Sequence, residues 1–219
     1  MNIVITGANR GIGLEIAKIF AERGDTVLAL CRSSSDELEA IGATVHSGID
    51  VAKDEGIKSA QQALGQTAVD VLINNAGIFR NETLDEFDVE SIRAQFEVNA
   101  LAPIRLVQAL KGRLTKGGKI GLITSRMGSI EDNGSGAYYG YRMSKAALNA
   151  GGKSLAIDLE ASGVALAILH PGFVQTQMTN YSGDVTASEA ASGLVARLDE
   201  LTLDTTGSFW HAQGQRLPW

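Results

Sequence analysis

A single-domain, doubly wound α/β fold with a parallel sheet of about seven strands is what this sequence predicts, on three observations. Short runs that are apolar almost throughout recur along the chain, segments of helical spacing alternate with them, and the first run ends in a glycine-rich turn, TGANRGIG at 6–13. A strand that is apolar on both faces belongs in a parallel sheet covered by helices above and below. Alternation of strand and helix implies right-handed crossovers that wind the helices onto both sides.

The strands read as NIVIT (2–6), TVLALC (26–31), ATVH (43–46), VDVLIN (69–74), KIGLIT (119–124), VALAIL (164–169) and SFW (208–210). Helical spacing covers 12–23, 54–65, 88–110, 141–160 and 186–201. The serine run in RSSSDELE supplies a cap for a further short helix from about Asp36. No repeat, low-complexity tract or linker interrupts the pattern.

At 219 residues the chain suits one domain, 1–219, burying on the order of 70% of its unfolded surface. There are 25 Asp and Glu against 19 Lys and Arg, a formal charge of −6, and the basic residues are scattered, which argues against nucleic acid. The opening run MNIVITG breaks at Gly7, too short for a signal peptide, and no stretch is long enough to span a bilayer. A single cysteine, Cys31, excludes an internal disulfide and fits a reducing compartment, so a cytoplasmic location is expected. No His, Cys or acidic cluster has metal-ligand spacing.

In a doubly wound sheet, ligands bind beyond the carboxyl ends of the strands. The first such end is the 6–13 turn. Gly7, Gly11 and Gly13 let the backbone turn tightly and a ligand come close, and the helix that begins there aims free amides at an anion. With Asn9, Arg10 and Ile12 among the glycines, the loop reads as a pyrophosphate site. After the second strand, where an acid would bond a free ribose, the chain has CRSS and no carboxylate. Arg32 there offers a planar charged fork to a phosphate, Ser33 and Ser34 add hydroxyls, and Arg10 adds a second cation.

The stretch AYYGYRMSKAALNA holds three of the four tyrosines. Pairing each with the residue four places on gives Tyr138 with Arg142, Tyr139 with Met143 and Tyr141 with Lys145. Only the last sets a phenol beside an amine on one helix face. A free tyrosine, with a pKa of about 10, holds its proton tightly at neutral pH, and a cationic Lys145 within reach would lower that value.

TGANRGIG, NNAG at 74–77, Tyr141 with Lys145, and HPGFVQT at 170–176 stand in one order, and with them the chain resembles the short-chain dehydrogenase/reductase family from residue 2 to its last residue. TSRMGSIEDNGSGAYYGYRMSK and the terminal GSFWHAQGQRLPW resemble its small C-factor-like and sniffer-type carbonyl reductase members. The resemblance implies a Rossmann fold, a nicotinamide cofactor, and hydride transfer between that cofactor and a carbonyl or alcohol substrate. Arg32, Ser33 and Arg10 then favour NADP(H).

The family pattern further implies that Asp50 and Val51 hold the adenine ring and that Asn75, Ala76 and Gly77 pass close to the cofactor. Pro171 and Gly172 make a turn, and Val174 and Thr176 bond the nicotinamide carboxamide. Tyr141 exchanges the proton, Lys145 also bonds the nicotinamide ribose, and Asn99 completes the tetrad. Pro103 lacks an amide hydrogen, so the Asn99 carbonyl loses its helical partner and is free to hold a water that bonds Lys145. Ser125, at the end of the fifth strand, is the expected donor to the substrate oxygen. Ser129 is its rival, because Ser125 stands sixteen residues before Tyr141 and Ser129 twelve.

Tyr138 and Tyr139 are expected to line the pocket or pack, Arg126 to lie in solvent or a surface salt bridge, and His170 to be structural. A loop from Gln177 to about Thr186, carrying Met178 and Tyr181, would close over the cofactor, with Phe79, Met127 and Tyr138 opposite. Two other classes stay open: a non-catalytic nucleotide-binding signalling protein, and a nucleotide-sugar epimerase or dehydratase, for which too little chain follows the sixth strand. A homodimer through 141–160 is suggested by Gly151 and Gly152, which fit equally well against the protein's own sheet.

Overall fold

The computed structural model describes residues 1–219. Nine strands follow one another: β1 (Asn2–Thr6), β2 (Thr26–Leu30), β3 (Thr44–His46), β4 (Val69–Asn74), β5 (Leu114–Ile123), β6 (Ala165–His170), β7 (Val174–Gln175), β8 (Val185–Thr186) and β9 (Ser208–His211). All but β7 and β8, which pair with each other, form one parallel sheet in the order β3-β2-β1-β4-β5-β6-β9. The order reverses at β1 and β4, which opens a crevice above their tips.

The helices are α1 (Gly11–Glu22), α2 (Asp36–Ala40), α3 (Asp54–Leu64), α4 (Val89–Phe96), α5 (Ala102–Leu110), α6 (Tyr139–Glu160) and α7 (Ala187–Glu200). Successive strand residues feed opposite faces. Ile3 and Ile5 pack with Ile16 and Phe20 of α1 and Leu194 and Leu198 of α7. Val4 faces the other way, among Leu64, Leu106, Leu110 and Leu148 of α3, α5 and α6. Each face has its own core of 23 buried residues, so the central strand positions are apolar on both faces and no alternation shows in the sequence. Burying one such Leu or Ile side chain contributes about 1.5–3 kcal/mol.

The structure departs from expectation in four places. The 88–110 helix is interrupted: a π-helical turn, Glu97–Leu101, separates α4 from α5, and Pro103 falls in the first turn of α5. Strand β5 begins at Leu114, and its early residues join β4 through a register shift between Val69 and Val71. The β7–β8 pair is too short to show as an apolar run. Helix α6 starts at Tyr139, entered through Ala137 and Tyr138 in the left-handed region, at φ 51° and 53°.

Gly152 packs on the protein's own sheet, where an added Cβ would lie 2.7 Å from Leu122 Cδ1, and at Gly151 it would lie 2.9 Å from Ile104. Gly152 thus fits against the sheet, as the second reading of these glycines has it, whereas Gly151 meets α5. No helix is long and apolar enough to cross a membrane.

Candidate active site

The tips of β1, β4, β5 and β6 bring the predicted residues to one end of the sheet. Gly7 and Gly11 adopt φ of 66° and 55°, which a side chain would resist. Gly13 lies against the loop so closely that a Cβ would stand 2.4 Å from Gly7 O and 2.5 Å from Asn75 Nδ2. Asn75 spends its side chain on that loop, donating to the carbonyls of Thr6 and Gly7 at 3.1 Å each. The Thr6 hydroxyl accepts from the amides of Asn75 and Ala76, both at 3.0 Å. Helix α1 has no side-chain cap and no acid in its first turn, so its leading amides stay free for an anion. A pyrophosphate fits there.

Arg32 and Ser33 are exposed beyond β2, and the hydroxyl of Ser34 is buried without a partner, as is Asn74 Nδ2 at the tip of β4. Polar atoms left so are costly unless a ligand meets them. Asp50 is occupied locally, its carboxylate accepting from the Ala52 amide at 3.2 Å, and Val51 is buried. Ile12, in the first turn of α1, packs on the core, and the backbone of Ala8 and Asn9 bonds the Cys31 thiol, whose pKa burial nonetheless pushes up.

Tyr141 and Lys145 share one face of α6, the ammonium 5.8 Å from the tyrosine ring centre. Lys145 is buried and donates to the Ile123 carbonyl at 2.9 Å. Burial dominates both groups. It pushes Tyr141 up to about 12, with hydrogen bonding to Ser125 pulling the other way, and draws Lys145 down to about 8. The lowering of the phenol expected from Lys145 is not seen: desolvation sets the shift, and the one opposing influence is Ser125.

Ser125 is buried at the tip of β5 and accepts from the Met127 amide at 3.1 Å, opening a tight turn. Ser129 is turned to its own loop, accepting from the Asp132 amide at 3.1 Å. Arg126 forms the expected surface ion pair, with Asp132. Arg142, one residue past Tyr141, clamps the same loop through the Met127 and Gly136 carbonyls and Ser135.

The Asn99 side chain is fully engaged. Its Oδ1 accepts from the Ile78 amide at 2.8 Å, and its Nδ2 donates to the Ile78 carbonyl at 2.9 Å and to Ser144 Oγ at 3.0 Å. Ser144 in turn donates to the Tyr141 carbonyl at 2.8 Å. Asn99 therefore ties the loop after β4 to α6 through its side chain, while its backbone occupies the middle of the π turn. Gly77 is squeezed between, its missing Cβ 3.2 Å from Asn99 Oδ1 and 3.8 Å from Lys145 Nζ.

Phe79 meets Tyr141 edge-on at 4.8 Å and stacks on Tyr138 at 5.5 Å, whereas Tyr139 turns away to pack on Phe87. His170 packs edge-on against His211, and its Nδ1 is buried without a partner. Burial, reinforced by His211 and Arg126, lowers its pKa to about 3, so it stays neutral. Pro171 and Gly172, the latter at φ 96°, turn the chain into β7. Val174 is buried, its carbonyl accepting from the Thr179 hydroxyl at 2.7 Å, and the Thr176 amide donates to that hydroxyl at 3.2 Å. The loop that follows leans on the glycine turn: Arg10 donates to Gln177 Oε1, and Thr176 Cγ2 stands 3.5 Å from the Cβ position of Gly11. Met178 and Tyr181 are exposed.

Sequence reasoning passed over Glu82, which is 1% exposed and bonded to the start of α6. It stands among charged residues, and nothing local signals its burial.

A nucleotide cradle at the strand tips, with a half-buried tyrosine and a buried lysine one turn on, defines a Rossmann-type dehydrogenase or reductase. The chain belongs to the short-chain dehydrogenase family, whose model matches residues 1–187. It is 37% identical over 223 residues to 1-hydroxy-2-glutathionyl-2-methyl-3-butene dehydrogenase of Rhodococcus sp. (strain AD45), covering 99% of both chains. It is 39% identical over 154 residues to C-signal of Myxococcus xanthus, covering 69% of this chain and 93% of that one. The NADPH-bound carbonyl reductase from chicken fatty liver superposes with a TM-score of 0.90 at 28% identity, covering 100% of this chain and 98% of that one.

Proposed function

We infer that the chain is an oxidoreductase that transfers a hydride between NADP(H) and a carbonyl or alcohol substrate, with Tyr141 exchanging the proton. The observation that carries the proton-exchange role is the half-buried placement of Tyr141 at the strand tips, with the buried Lys145 one turn on and Ser125 close enough to its hydroxyl to affect its pKa. Bound, the cofactor supplies or accepts the hydride. Its pyrophosphate is assigned to the free amides of α1, and its 2′-phosphate to Arg32, Ser33 and Ser34, with Arg10 nearby. The absence of an acid after β2 and the unpartnered Ser34 hydroxyl support that assignment.

A phenol raised to about 12 carries the proton that carbonyl reduction needs, but it is a weaker acid than free tyrosine, so the Ser125 hydrogen bond and the charge of Lys145 must stabilise the phenolate as it forms. Ser125 holds the substrate oxygen, and its bond strengthens as charge develops there. Lys145, drawn down to about 8, changes charge close to neutral pH and can return a proton to Tyr141. Asn99 acts by holding the loop after β4 against α6. Asp50 and Val51, Asn75 to Gly77, and Pro171 to Thr176 are assigned to the walls of the cofactor site.

The test follows NADPH consumption with a panel of aldehydes and ketones, with NADH in parallel, for the wild type and Tyr141→Phe. The variant is expected to bind NADPH normally and to lose on the order of 10²–10⁴ in kcat. Retained turnover would overturn the assignment, and a wild type that binds NADPH but reduces nothing would favour a non-catalytic signalling role. A cytoplasmic location, no nucleic-acid partner and a homodimer are proposed alongside, the last to be tested by sedimentation.

A further inference from the structure

Glu82 lies in RNETLDEFD, a stretch that reads as a charged surface loop, yet its side chain is buried and no basic residue meets it. Instead its carboxylate collects hydrogen-bond donors. One oxygen accepts from the Ser91 hydroxyl and from Gln95 Nε2 at 2.7 Å, and the other from the Gly140 amide at 3.0 Å. The backbone carbonyl of the same residue accepts from the Tyr138 amide at 2.9 Å. Gln95 cannot turn over, because its Oε1 accepts from the Arg80 amide at 2.9 Å and so its NH2 must face Glu82.

The two backbone amides that Glu82 holds flank the point where α6 begins. Ala137 and Tyr138 are both left-handed there, a conformation that non-glycine residues avoid and keep only where the surroundings impose it. The fit is close, since a Cβ on Gly140 would stand 2.4 Å from Gln95 Nε2. Tyr141 follows at once.

We propose that Glu82 is a positioning residue for proton transfer. By holding the amides of Tyr138 and Gly140 it sets the direction in which α6 starts, and with it the placement of the Tyr141 hydroxyl and of the Phe79–Tyr138 pair beside the substrate. The inference rests on the reading of Tyr141 as proton donor. Glu82 itself touches neither substrate nor cofactor.

The test is Glu82→Gln, which keeps the shape but turns one oxygen into NH2. That group must face either the Gly140 amide or the Gln95 NH2, and both are donors. The double variant Glu82→Gln/Gln95→Glu restores a match. The new NH2 then donates to the carboxylate at position 95 and to the Ser91 oxygen, its carbonyl accepts from Gly140, and position 95 still accepts from the Arg80 amide.

Glu82→Gln is expected to lower kcat roughly 10- to 100-fold, with NADPH affinity and binding stoichiometry unchanged, and the double variant to regain most of it. A wild-type kcat in Glu82→Gln, a loss matched by a fall in NADPH-binding stoichiometry, or no recovery in the double variant overturns the inference. If Glu82→Gln does not fold, the double variant decides: turnover near wild type supports the proposal and its loss refutes it. Tyr141→Phe is measured beside them. If that variant keeps turnover, the proton-donor reading falls; if it is inactive while Glu82→Gln is not, only the role of Glu82 falls.

Discussion

Replacing Lys145 with methionine is expected to stabilise the cofactor-free protein while abolishing turnover. Lys145 is 5% exposed and the one partner of its ammonium is a neutral carbonyl, that of Ile123. Burial draws its pKa from 10.5 to about 8. At roughly 1.4 kcal/mol per pH unit, keeping the charged form in the folded chain costs about 3 kcal/mol. Methionine removes that cost and fills much of the same volume. Leaving the Ile123 carbonyl without its donor returns about 1 kcal/mol. The net gain is then about 2 kcal/mol at neutral pH. The folded pKa lies below the unfolded one, so the cost is complete below pH 8 and fades as pH rises toward 10.5. Urea denaturation of both proteins at neutral pH and near pH 10.5 reads the difference. A variant no more stable than the wild type at neutral pH, or an advantage that does not shrink at the higher pH, would refute the reasoning.

Arg32→Ala is expected to weaken NADPH binding about 10- to 100-fold by removing a charge-assisted bond, and to leave NADH binding nearly unchanged, as calorimetric titration of both would show. Ser125→Ala is expected to cost on the order of 10² in kcat, and Ser129→Ala little. The opposite outcome, in steady-state assays of the two variants, would move the role to Ser129.

Much of this was legible because parallel strands buried on both faces leave continuous apolar runs, as in VDVLIN at β4 and VALAIL before and within β6. The start of β5 was not, since only Leu114 and Lys119 pair with β4 there, and Thr115, Lys116, Gly117 and Gly118 between them form an irregular stretch at the register shift with no apolar run to mark it. Pro103 signalled only a lost amide in the 88–110 segment; a π turn leaves the apolar spacing on either side intact and so has no signature of its own. Among the site residues, Tyr141, Lys145 and the glycine loop declare themselves by spacing. Asn75 and Asn99 do not: each was matched by motif, and only the fold shows that their side chains hold loops together. Glu82 was invisible because its burial depends on Ser91, Gln95 and Gly140, the last of these 58 positions away.

The wide turn at 97–101 lets two stretches of one long helix obey different masters. Upstream, α4 aims Gln95 at Glu82; downstream, α5 aims Leu106 and Leu110 into the sheet. One residue of slack between them absorbs an angular mismatch of about 100°. A chain shortened by a single alanine at position 100 would close that slack, and it could then satisfy the hydrophobic layer or the carboxylate cluster, but not both.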